Sequence, residues 1–181
     1  DRKGRHVVFL SRILVDYGIT AKGIACDEYT AVCIDTNGIA KVFGGYPTYD
    51  DNAYFIQPNC ELISNVPENC IPGNPLDWNL GNVAIKVYAV KGTSVGTNTF
   101  DLNDWKTGTG GEWENWYVEN GGLNEQVGNQ PNCQILSLIQ IDESKFFSVY
   151  PNPASDIVSI TFSLNETAPN SLKIINVLGQ E

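Results

Sequence analysis

Asn37-Gly38 is the feature that most narrows the fold of this chain. The pair stands between 30–36 (TAVCIDT) and 39–44 (IAKVFG), two runs rich in β-branched and apolar residues. Adjacent Asn and Gly tolerate the positive φ of a tight hairpin, so the two runs are expected to fold back on each other as antiparallel strands. Similar punctuation recurs along the chain. Seventeen Gly and nine Pro in 181 residues, with many Asn, cut it into short runs and argue against a helical bundle. The 42% hydrophobic content is still enough for a packed core.

One early segment departs from that pattern. In 6–17 (HVVFLSRILVDY), Val7, Leu10, Leu14 and Tyr17 recur at three- and four-residue intervals, and Val8, Phe9, Ile13 and Val15 widen the stripe. This predicts a mostly buried helix, stopped by Gly18. Strands are expected at 23–26, at the two hairpin runs, at 53–57, and with uneven alternation within 82–91 (NVAIKVYAVK). Gly92-Thr93-Ser94-Val95-Gly96 spells the Gly-x-Ser-x-Gly of a nucleophile elbow, but that device needs a helix after its turn. Residues 97–101 (TNTFD) have no helical period, so Ser94 is read as part of a strand-end turn. In 108–122 (GTGGEWENWYVENGG), Trp113, Trp116 and Tyr117 are expected to lie back over the core. The polar stretch 124–132 reads as a linker, and 157–162 (IVSITF) alternates cleanly with period two.

Charge and cysteine content exclude several function classes. A net charge of −10 leaves nothing to neutralise a run of phosphates, which argues against a nucleic-acid partner. No run approaches the ~18 apolar residues of a membrane span. With one His and no Cys-x-x-Cys spacing, neither a metal site nor a cofactor is expected. Asp50-Asp51-Asn52 reads as a solvated turn rather than a calcium loop. Among five cysteines, Cys60 and Cys70 flank a Pro/Asn-rich loop and are expected to form a disulfide, while Cys26 and Cys33 in apolar runs are expected as small buried hydrophobes. Cys133 is left over. The charged opening, Asp1-Arg2-Lys3-Gly4-Arg5, reads as the interior of a longer protein.

Residues 23–31 (GIACDEYTA) place two adjacent carboxylates, Asp27 and Glu28, between strand-like runs, where acidic residues are depleted. A turn with both facing water accounts for them. So does a carboxylate held by the sheet to orient a catalytic imidazole. The pattern alone leaves both open.

This stretch resembles the Gly-Ile-Gly-Ile-Asp-Glu-x-Thr-Ala motif of the cyanophycinase-like serine peptidases. Arg2-Lys3-Gly4-Arg5 is similar to the end of their His-Phe-x-x-Arg-x-Arg-x-Gly-Arg motif. Pro75-Leu76-Asp77-Trp78, then VAIKVYAVKGT and Thr99-Phe100-Asp101-Leu102, resemble their closing strands. The likeness runs from residue 1 to about 105. It implies an α/β fold, the carboxyl-terminal half of a class I glutamine amidotransferase-like (flavodoxin-like) domain with a β-rich end, over 1–123. It also implies a Ser–His–Glu hydrolase acting on peptides with aspartyl residues. Glu28 would be the triad acid, Arg2, Arg5, Asp27 and Thr30 would bind substrate or support the site, and the Ser and His would lie upstream. This segment by itself is then expected to be inactive, and a catalytically dead surface module is the alternative.

A second resemblance covers 146–181, after a linker placed at 124–145. Tyr150-Pro151-Asn152-Pro153-Ala154-Ser155-Asp156, the alternating strand after it, and 173–180 (KIINVLGQ) resemble the carboxyl-terminal sorting domain of type IX secretion cargo in Bacteroidetes. That implies a truncated all-β sandwich-like domain, recognition by the type IX machinery, and a secreted or outer-surface location. Such a setting permits disulfides.

Overall fold

The structure, a computed structural model, describes residues 2–133, 147–150 and 159–162. The chain divides into two compact units, Asp1–Cys133 and Gln134–Glu181. In the first unit, helix α1 (Arg2–Tyr17) precedes nine strands: β1 (Gly23–Cys26), β2 (Thr30–Ile34), β3 (Ile39–Tyr46), β4 (Asn52–Pro58), β5 (Ile85–Lys91), β6 (Asn98–Asp101), β7 (Gly108–Thr109), β8 (Gly111–Glu119) and β9 (Gly122–Val127). They form a five-stranded sheet in the order β1-β4-β5-β8-β9 and a four-stranded sheet in the order β2-β3-β6-β7. Every pairing between these strands is antiparallel. The unit is therefore mixed but strand-rich, with one helix over antiparallel sheets. The parallel sheet on which a flavodoxin-like domain is built is not among the described residues.

The hairpin forms as the Asn-Gly pair predicts, with a loop one residue longer. Ile34 pairs with Ala40, and the Asp35 N–H donates to the Ile39 carbonyl, leaving Thr36, Asn37 and Gly38 in the turn. Gly38 takes the left-handed position at φ 80°. Asp35 Oδ1 accepts the N–H groups of Asn37 and Ile39, which closes the loop from within.

Two cores share the central strands. Toward the helix, Tyr54, Ile56, Ile85, Val87, Trp116 and Val118 pack with Val7, Leu10 and Trp78. Toward the smaller sheet, Ala53, Phe55, Tyr88 and Val90 pack with Ala40, Val42 and Phe100. Strands β4 and β5 are thus buried on both faces, which is why 82–91 lacks clean alternation. Trp116 is fully buried and Trp113 packs against the second core, as the aromatic cluster predicts. Beyond β5, the Gly96 N–H donates to the Thr93 carbonyl and strand β6 follows, so Ser94 does lie in a strand-end turn.

Gly92 is where the sheets meet. A methyl group there would stand 2.6 Å from the Phe43 carbonyl oxygen and 2.9 Å from Gly44 Cα, both backbone atoms that cannot rotate away. Gly92→Ala is therefore expected to destabilise the fold by about 1–3 kcal/mol. Denaturant midpoints measure this, with Gly4→Ala as control. Nothing lies within 4 Å of that helical position, so the control is neutral or stabilising.

Several expectations are corrected. Helix α1 begins at Arg2, and it buries only Val7, Leu10 and Ser11, leaving Phe9 and Tyr17 61% and 75% exposed. Only one side of it meets the sheet. The first half of the expected linker is strand β9, paired along its length with β8. Cys26 and Cys33 are exposed free thiols rather than buried ones, because β1 and β2 end at the rim of their sheets. The disulfide joins Cys60 to Cys133, with Cα atoms 5.3 Å apart, and not to Cys70, which is a free thiol beside the Ser11 hydroxyl. Residues 128–133 form a strap that brings Cys133 to Cys60. Its Gly128 N–H donates to Trp113, its Asn132 N–H to Glu61, and its Asn129 carbonyl accepts from the buried Lys86 ammonium.

In the second unit, β10 (Phe147–Tyr150) and β11 (Ser159–Phe162) form an antiparallel pair with Tyr150 opposite Ser159. The 173–180 run (KIINVLGQ) lies outside the described residues.

Candidate functional site

Strand β1 ends at Cys26 and the chain turns through Asp27–Thr30, where the Thr30 N–H donates to the Asp27 carbonyl at 3.2 Å. This turn follows β1 at the edge of the five-stranded sheet, beside the first residues of α1. A cavity of about 570 Å³ opens there, lined by Arg2, Lys3, Ala25, Cys26, Asp27, Glu28 and Tyr54. Three of the residues expected to act together, Arg2, Asp27 and Glu28, meet at this cavity. Arg5 is exposed on α1 and Thr30 opens β2, and neither lines it.

The two carboxylates have different surroundings. Asp27 Oδ2 accepts the Tyr54 hydroxyl and the Asn52 N–H, each at 2.9 Å, and the Asp27 N–H donates to the Asn52 carbonyl. Asp27 is thereby fixed to β4 and holds the turn. Glu28 is exposed and takes no hydrogen bond among the described residues, so its carboxylate is open to a partner at the cavity mouth. The Thr30 hydroxyl oxygen is buried without a hydrogen-bond partner among the described residues.

Sequence reasoning missed Lys3 and Tyr54. Lys3 Nζ sits 3.1 Å from Glu125 Oε1, 4.2 Å from the Tyr54 ring centroid and 5.2 Å from that of Trp116. Burial alone would draw the ammonium down, but its hydrogen bonds to Tyr54 and Glu125 outweigh that and raise it. Burial, together with the hydrogen bond to Asp27, pushes the Tyr54 phenol up. The Cys26 thiol is also raised, although the residue is exposed, first by partial desolvation at the cavity wall and then by the Asp27 charge, so it stays protonated and is a poor nucleophile. Tyr54 could have been found from the alternation of β4, which aims it at the helix side. Nothing local marks Lys3.

Gly23 decides where the single histidine lies. A methyl group at Gly23 would stand 2.0 Å from His6 Nε2, so the imidazole rests directly on β1. Burial lowers His6 below its ordinary value of 6.5. The folded state then binds fewer protons than the unfolded chain. The stabilising contribution is full above 6.5 and is lost as pH falls through 6.5 toward the folded pKa. The melting temperature is expected to drop between about pH 7.5 and pH 5.5, and the slope to flatten in His6→Gln.

Among the described residues there is no group of three or more His, Cys, Asp or Glu that could hold a metal ion, and no helix long and apolar enough to cross a membrane. For the second unit, the β10–β11 pair brackets the Tyr-Pro-Asn-Pro run. Residues 148–181 match the secretion system C-terminal sorting domain. That domain is the type IX export signal, so the chain is directed to the cell surface or the medium and engages the type IX secretion machinery. No curated protein and no solved structure matches the chain.

Proposed function

We propose that residues 1–133 belong to an exported serine-type hydrolase that cleaves peptides at aspartyl residues, with Glu28 as the carboxylate of a Ser–His–Glu triad. The serine and the imidazole of that triad would come from outside this segment; among the described residues, no serine or histidine lines the Glu28 cavity. The antiparallel sheets are then the β-rich closing part of a class I glutamine amidotransferase-like domain. One observation carries this reading: Glu28 stands unpartnered at the mouth of a cavity beside Arg2, while its neighbour Asp27 anchors the turn. In that position Glu28 would accept the imidazole N–H, fix its tautomer and stabilise the imidazolium during acyl transfer. Arg2 would take a substrate carboxylate through its guanidinium fork.

A second reading, a catalytically inactive surface module that keeps the fold and the export signal, is favoured by the cavity's other groups. Lys3 on α1 is committed to Glu125 on β9 and Asp27 to Tyr54 on β4, and the Cys26 thiol is held protonated. Turnover of β-aspartyl and other aspartyl peptides by the full-length parent, against its Glu28→Gln variant, decides between the two. Absence of turnover on every such peptide supports the module.

A further inference from the structure

A separate cavity of about 560 Å³ lies across β5 and β8, on the far side of Asn52 from the Glu28 turn. Its floor excludes side chains. A methyl group on Gly110 (φ 72°) would stand 2.0 Å from Asn98 Oδ1, and one on Gly111 would stand 2.5 Å from the Ala89 carbonyl oxygen. Both positions line the cleft with backbone alone. Glu112 and Glu114, two residues apart on β8, point to the same face and form one wall. Glu114 is half-buried, and its Oε2 accepts the Trp116 indole N–H at 2.6 Å, which sets the direction of the carboxyl group.

The opposite wall is amide and aromatic. Asn98 donates through Nδ2 to the Lys91 and Gly110 carbonyls, leaving Oδ1 as an acceptor beside the floor. Tyr46 stands at the rim, 45% exposed. The same loop sends Tyr49 outward to stack on Tyr29 with ring centroids 4.7 Å apart, and both rings are half exposed. Of these rings, Tyr46 is the one that lines the cleft.

The volume falls within the ordinary range of small-molecule sites. Two carboxylates repel an anion, and polar walls disfavour an apolar ligand. A cation would meet Glu112 and Glu114, but also the Lys91 ammonium, which lines the cleft while paired at 2.7 Å to Asp50. A neutral polyhydroxyl ligand suits every group present. Its hydroxyls donate to carboxylate and amide oxygens, and its C–H face lies on a tyrosine ring. We propose that this cleft binds a neutral saccharide, with Tyr46 under a sugar ring and Glu112, Glu114 and Asn98 holding hydroxyls. The proposal is independent of the hydrolase reading, because neither Glu28 nor turnover enters it.

The test titrates the isotope-labelled 181-residue chain with neutral oligosaccharides of β-1,4-glucose, α-1,4-glucose and β-1,4-N-acetylglucosamine, following backbone amides by NMR. Oligolysine and oligogalacturonate serve as charged controls. One neutral series is expected to shift the Gly110, Gly111 and Glu112 amides saturably at millimolar concentration. Tyr46→Ala should weaken that binding about tenfold or more, and Glu112→Gln measurably, with the spectrum otherwise folded. Tyr17→Ala, on the exposed end of α1, should leave it unchanged. Failure of all three series to shift these amides overturns the proposal. So does tighter binding of oligolysine there, or undiminished affinity in both cleft variants.

Discussion

Cys133→Ser should lower the unfolding free energy of the oxidised protein by about 4 kcal/mol, and Cys60→Ser by the same amount. The size follows from the separation of 73 residues between the two cysteines. Cross-linking so long a loop removes much of the freedom of the unfolded chain, and the loss grows with the logarithm of loop length. The strap adds to this through its native contacts. Asn132 donates its N–H to Glu61 at 2.7 Å, Lys86 stands 3.1 Å from Glu61, and Gln130 and Lys106 exchange bonds with the opposing backbone. With the disulfide gone, those contacts must hold the strap unaided, and the Lys86 side chain, only 5% exposed, is left dependent on them. Denaturant unfolding of the wild type with and without reductant should reproduce the same difference. Cys70→Ser is the discriminating control. It alters a contact with Ser11 and partial packing at the edge of the first core, and should change stability by less than about 1 kcal/mol. Were Cys70→Ser the costly change and Cys133→Ser the mild one, the loop bridge suggested by the Pro/Asn-rich stretch would be right after all.

The pairing of Cys60 illustrates what was legible in the sequence and what was not. Local chemistry was readable: the Asn37-Gly38 turn, the strand-end turn at Ser94, and strands β1 to β5 lie where residue type and spacing put them, whereas β8 was marked only by its aromatic residues. Each depends on a few neighbouring residues. Pairing of distant residues leaves no such mark, so the partner of Cys60 was sought in the nearest loop and lies at the far end of the unit. Strand β9 was hidden for another reason. It is an edge strand whose residues, GLNEQV, are mostly exposed, and a polar edge spells like a linker. Helix α1 misled in the opposite sense, since apolar residues on several sides suggested burial that a single covering sheet cannot provide. At the candidate site, the adjacent carboxylates were conspicuous because acids interrupt a β-rich run. Their division of labour was not, because it depends on Tyr54 and Asn52 reaching Asp27 from 25 or more residues away.

That division of labour sets the second large effect. On the proposed hydrolase reading, Glu28→Gln in the full-length protein is expected to reduce turnover of aspartyl peptides by about 10³–10⁴-fold while KM changes little, because a triad carboxylate acts on the imidazole and not on the substrate. The amide keeps the shape of the side chain, but its N–H₂ can face the ring and favour the wrong tautomer. Glu28→Asp keeps the charge on a shorter arm and should restore part of the loss, which a purely structural role would not predict. Asp27→Asn gives the contrasting pattern. It weakens the bonds from the Tyr54 hydroxyl and the Asn52 N–H, so it should cost about 1–3 kcal/mol of stability and loosen the turn. Its turnover loss should then follow the fraction unfolded and shrink on cooling. Full turnover in a well-folded Glu28→Gln protein would remove Glu28 from the triad, and with it the one observation on which the hydrolase reading of this cavity stands.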